Sequence, residues 1–69
     1  MKKYGKVIEL DNGYGIIRTE DSDANFEEFD VYGGVIHLND IVSFREENHN
    51  GIIMAKSIQV EESDENENS

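Results

Sequence analysis

Two Asn-Gly dipeptides, Asn12-Gly13 and Asn50-Gly51, each stand between runs of β-branched and aromatic residues. No other feature constrains the fold of this chain as strongly. Asn and Gly both tolerate the positive φ that a two-residue hairpin turn needs at its two central positions, and such turns match the twist of the strands they join. The chain is therefore expected to contain two tight β-hairpins, one near each end of its apolar part.

The rest of the pattern agrees. Five short runs carry strand-type residues: "YGKVIEL", "YGIIRT", "NFEEFDVY", "DIVSFRE" and "GIIMAKSIQV". Gly33-Gly34 marks a turn after the third run, and "EDSDAN" is a polar loop between the second and third. No segment keeps a 3.6-residue apolar period with helix caps. Five strands in so short a chain suggest an all-β fold, a small closed five-stranded antiparallel barrel, because closure removes exposed edges. An SH3-like barrel is the alternative.

At 69 residues the chain has room for one domain with a thin core. Sixteen acidic residues face six basic ones, for a net charge of -10. Five of the acids, Glu61, Glu62, Asp64, Glu65 and Glu67, fall in the closing segment "EESDENENS", which has no apolar residue. Residues 61–69 are thus expected to form a disordered acidic tail, and residues 1–60 the folded domain. The tail reads as a solubilising extension, or as an autoinhibitory strip against the N-terminal lysines. There is no cysteine, which excludes disulfides and thiolate zinc sites. No apolar run approaches the ~18 residues of a membrane span, and no apolar stretch follows Met1-Lys2-Lys3-Tyr4-Gly5 as a signal peptide would require. The expectation is a cytoplasmic, monomeric protein without a membrane partner.

With the strands placed, the chain resembles the bacterial cold-shock domain family. That family opens with G-K-V-K-W-F-N, to which Gly5-Lys6-Val7-Ile8-Glu9-Leu10-Asp11 is similar. Its K-G-F-G-F-I motif resembles Asn12-Gly13-Tyr14-Gly15-Ile16-Ile17, and its V-F-V-H-F motif resembles Asn25-Phe26-Glu27-Glu28-Phe29. The later L-x-x-G-x-x-V-x-F element is similar to Leu38-Asn39-Asp40-Ile41-Val42-Ser43-Phe44, shortened by two, and the closing G-x-x-A-x-x-V to residues 51–58. The resemblance implies an OB-fold of cold-shock type that binds single-stranded RNA or DNA. It implies a binding face at Lys6, Tyr14, Ile16, Phe26 and Phe29. The motifs are degenerate. Glu9 stands where the family has Trp, Asn12 where it has Lys, Ile16 where it has an aromatic, and Glu28 where it has His.

Two functions compete. One is weak binding of single-stranded nucleic acid. The other is docking of a basic protein partner on an acidic face that mimics nucleic acid. No catalytic constellation is visible among the serines, so the chain reads as a non-enzyme without cofactors. Glu27 and Glu28 are adjacent, and neighbours on a strand point to opposite faces, so they are not expected to converge on one ligand. Asp21-Ser22-Asp23-Ala24-Asn25 begins like a calcium loop, but Phe26 and Tyr32 occupy the positions that need Gly and Glu. His37 and His49 lack partners at ligand spacing and read as exposed loop residues, so no metal is expected.

Overall fold

The computed structural model describes residues 2–63, folded as a closed five-stranded barrel with strand order β1-β2-β3-β5-β4. The strands are β1 (Lys2–Asp11), β2 (Tyr14–Arg18), β3 (Asp23–Glu27), β4 (Ile41–His49) and β5 (Ile52–Glu62). A single 3-10 turn, Glu28–Asp30, follows β3. Four of the five seams are antiparallel. The fifth joins β3 to β5 in parallel, at Asn25 and Met54, and Val31 continues it with a parallel bridge to Ile58.

Both hairpins form at the Asn-Gly pairs. Asn12 and Gly13 have φ of 54° and 93°, and Asn50 and Gly51 have 58° and 91°. Positive φ at both central residues is the type I′ geometry. Asn48 supports the second turn, its Oδ1 accepting the Gly51 N–H at 2.8 Å.

The core holds Val7, Ile17, Ala24, Phe26, Val31, Ile36, Val42, Phe44, Ala55 and Ile58, with Leu10, Ile53 and Val60 packed against it. Burying each large member stabilises the barrel by about 1.5–3 kcal/mol. β3 shows the alternation most cleanly: Ala24 and Phe26 point inward, Asp23, Asn25 and Glu27 outward.

Three sequence expectations change. The third run does not form one long strand. β3 begins earlier, at Asp23, and stops at Glu27, where the 3-10 turn takes over. β1 carries a bulge at Ile8: Val7 pairs with Ile17, but Glu9 pairs with Ile16. An extra residue of this kind reverses the facing phase of the strand. Lys6 is outward before the bulge, and Glu9 and Asp11 are outward after it. Finally, the folded unit runs past residue 60. Glu61 and Glu62 belong to β5, and buried Ser43 donates its hydroxyl to Glu61 Oε2 at 2.6 Å. A partnered carboxylate on a strand has no need of an apolar side chain to be held. The remainder of the expected tail, residues 64–69, lies outside the described residues.

Candidate nucleic-acid interface

The outer face of β1–β3 is built in cross-strand rows. Asp11, Tyr14 and Glu27 form one row. Glu9, Ile16 and Asn25 form the next. Arg18 and Asp23 form a third, with Lys6 opposite Arg18 on β1. Tyr14 is 63% exposed and Ile16 is half-buried. The face thus offers one aromatic ring and one branched aliphatic side chain. Around them stand the carboxylates of Glu9, Asp11, Asp23 and Glu27.

Phe26 is not on this face. It is 1% exposed, among the largest fully buried side chains. The match of residues 25–29 to the second family motif implied an outward Phe26, and the structure places that side chain in the core instead. The outward residues of β3 are Asn25 and Glu27, so Glu27 rather than Glu28 faces outward on the strand. A slip of one residue moves every side chain of a strand to the opposite face.

Phe29 is fully presented, at 89% exposure. The backbone around it is tied on several sides. The Glu28 N–H donates to the Gly13 carbonyl at 2.8 Å, linking the 3-10 turn to the first hairpin. The Val31 N–H donates to Glu28 O, and the Tyr32 N–H to Ile58 O. Lys56 Nζ reaches Asp30 Oδ2 at 3.2 Å. With these ties in place, Phe29 and Tyr14 line one cleft of about 410 Å³ with Asn12, Gly13, Glu27 and Glu28. On the other side of Tyr14 lies a second hollow, lined by Glu9, Asp11, Gly15, Ile16 and Asn25. Because β3 ends between them, Glu27 and Glu28 do line a common cleft, contrary to the expectation for two neighbours on one strand.

The basic residues do not gather here. Arg18 Nε binds Asp23 Oδ1 at 3.1 Å, which raises the guanidinium pKa chiefly through that hydrogen bond. Lys3 pairs with Glu46, Arg45 with Glu47, and Lys56 with Asp30. Lys2 and Lys6 stand outside these pairs. Lys6 is opposite Arg18, four residues along β2 from Tyr14. That is roughly 13 Å at strand rise, beyond the screening length of about 8 Å in physiological salt. Lys6 is exposed, but it belongs to the far end of the face.

Each histidine departs in part from the expectation of an exposed loop residue: His49 is exposed but ends a strand, and His37 lies in a loop but is half-buried. His49 closes β4 and lies 2.9 Å from Glu47 Oε1 through its Nε2. His37 is half-buried, and its backbone N–H donates to the buried Asp40 carboxylate at 2.8 Å. In the loop before β3, Thr19 donates to Asp21 Oδ1 at 3.1 Å. Among the described residues no three His, Cys, Asp or Glu side chains are grouped to hold a metal. No described helix is long and apolar enough to cross a membrane.

Among solved structures, the barrel is similar to Drosophila Unr CSD456, with a TM-score of 0.76 over 87% of this chain. The fold is that of a cold-shock domain. The two sequences are 22% identical, and the match covers 26% of the Unr chain, so this chain spans about a quarter of that structure's length. At that identity the likeness is one of fold. Neither a family model nor a curated protein matches the sequence. In this cold-shock fold the sequence motifs missed the inward turn of Phe26 and the end of β3 at Glu27, which places Phe29 on the 3-10 turn. Strict alternation through Asp23-Ala24-Asn25-Phe26-Glu27 was the available signal for the first.

Proposed function

We propose that the barrel is a non-catalytic module that binds single-stranded nucleic acid weakly, through Tyr14 and Ile16 on the outer face of β1–β3 and Phe29 on the adjoining 3-10 turn. The observation that carries this reading is the pair of exposed rings bordering one cleft. Bases of any sequence stack on such rings, each for about 1–3 kcal/mol. Two rings supply about 2–6 kcal/mol, and a Kd of 1 mM corresponds to about 4 kcal/mol. Affinity near the millimolar range follows, before the carboxylates are considered. Duplex bases are already stacked and cannot use the rings. The cold-shock fold supports the reading by analogy, although a fold alone does not specify a function.

The charge of the face favours a second reading, docking of a basic protein partner. A titration of a labelled single-stranded heptanucleotide, of its duplex, and of an arginine-rich peptide separates the two. The first reading expects weak, saturable binding of the single strand, little of the duplex, and loss of measurable binding in Tyr14→Ala and Phe29→Ala. Peptide binding at this face without strand binding would establish the second reading in its place.

A further inference from the structure

Resting on the nucleic-acid reading above, we infer that the cleft between Tyr14 and Phe29 is a base subsite selective for guanine, read by the carboxylates of Glu27 and Glu28. Several acids elsewhere on the surface are engaged: Asp23 with Arg18, Asp30 with Lys56, Glu46 with Lys3, Glu47 with Arg45 and His49, and Glu61 with Ser43. Glu9 and Asp11 hold no side-chain partner among the described residues, but they line the other hollow, which Phe29 does not border. Glu27 and Glu28 are exposed and hold no ion pair or side-chain hydrogen bond among the described residues. Their acceptor oxygens are open, and they line the same cleft as the two rings.

An ionised carboxylate only accepts hydrogen bonds, through two oxygens side by side. It therefore suits a base edge with two adjacent N–H donors. Guanine has that edge, its ring N1–H beside its exocyclic N2 amine. Thymine and uracil offer one N–H flanked by two carbonyl oxygens, which a carboxylate repels. Adenine and cytosine place an acceptor ring nitrogen next to their amine. Single-stranded bases leave these edges free to be read. The charges that repel phosphate can thus still discriminate between bases, and this gives the acids around Tyr14 a role in recognition.

The test uses heptamers of thymidine with guanine, inosine, adenine, cytosine or thymine at the centre, titrated into the full chain and into Glu27→Gln and Glu28→Gln. A good bidentate contact discriminates by about 1–3 kcal/mol, so the guanine strand should bind about tenfold tighter than the all-thymidine strand. Inosine lacks the N2 amine and should lose most of that gain. At least one glutamine variant should lose the guanine preference while binding the all-thymidine strand as well as before, or better. Equal binding of all strands would overturn the guanine subsite and leave the nucleic-acid reading standing. A guanine preference that survives in both variants would overturn the role of the carboxylates. If a folded protein bound no strand, the nucleic-acid reading itself would fall, and the subsite with it.

Discussion

The ring of Phe26 fills the space that a side chain at Gly15 would occupy. A Cβ on Gly15 would lie 2.5 Å from Phe26 Cε1 and Cζ, and 2.6 Å from the Glu9 carbonyl. The two residues are directly paired across β2 and β3. A glycine on β2 thus accommodates an aromatic ring from β3 inside the barrel, and the ring is lost to the outer surface. That contact removes Phe26 from the residues available for binding.

Stability should follow that division. Phe26→Ala should cost about 3–5 kcal/mol, a large share of the stability of so small a domain. Gly15→Ala should cost about 1–3 kcal/mol by overpacking. Phe29→Ala, at an exposed position, should stay within about 0.5 kcal/mol. Urea unfolding measures all three. The assignment fails if Phe26→Ala is no worse than Phe29→Ala.

A new aromatic on the outer row should strengthen binding. Asn25 and Glu9 flank Ile16 on that row. Asn25→Phe or Glu9→Trp should each add a stacking group worth about 1–3 kcal/mol, and about 1.4 kcal/mol is already tenfold. Phe26→Trp should add no affinity, since position 26 faces the core. Titration with one labelled strand compares the variants. A gain at 26 and none at 25 would mean that position 26, not 25, lies on the binding face.

The salt dependence should be unusual. Most single-strand binders lose affinity as salt rises, because releasing condensed cations into a saltier solution gains less entropy. Here carboxylates surround the rings and Lys6 lies at the far end of the face. Raising ionic strength from about 0.01 M to 0.15 M shortens the screening length from about 30 Å to 8 Å and weakens repulsion of phosphate. Affinity should therefore hold steady or rise. A steep fall, measured by titration across that range, would mean that lysines and arginines carry the contact.

Glu47 accepts a hydrogen bond from Arg45 at 2.6 Å and pairs with His49, and these partners, Arg45 first, lower its pKa. A carboxylate with a lowered folded pKa stabilises the fold above the ordinary carboxylate range. That contribution disappears as pH falls through the lowered value. Carboxyl-carbon NMR should show Glu47 titrating below a free glutamate, and Arg45→Ala should move its midpoint upward. An unchanged midpoint in Arg45→Ala would show that the guanidinium is not the cause.

Much of this fold could be read before any coordinates. Asn12-Gly13 and Asn50-Gly51 located both hairpins, because few residue pairs accept positive φ twice in succession. Five apolar runs gave the strand number. Tyr14 and Ile16 lie on the outward side of β2, Tyr14 exposed and Ile16 half-buried. Phase was harder to read. The Ile8 bulge reverses β1 without any glycine to mark it, and Phe26 and Phe29 look equivalent until β3 is known to end between them. Glu61 joins β5 through Ser43, a contact between residues 18 positions apart that local composition does not reveal.

The most direct test of the central claim is a map of where a single strand touches the barrel. Backbone amide shifts of isotope-labelled protein would be followed as a single-stranded heptanucleotide containing one guanine is added. The account predicts fast-exchange shifts concentrated at residues 12–16 and 25–29, with residues 2–4 at the start of β1 unmoved. Shifts centred on Lys2, Lys3 and Lys6, or no shifts at millimolar strand, would contradict it.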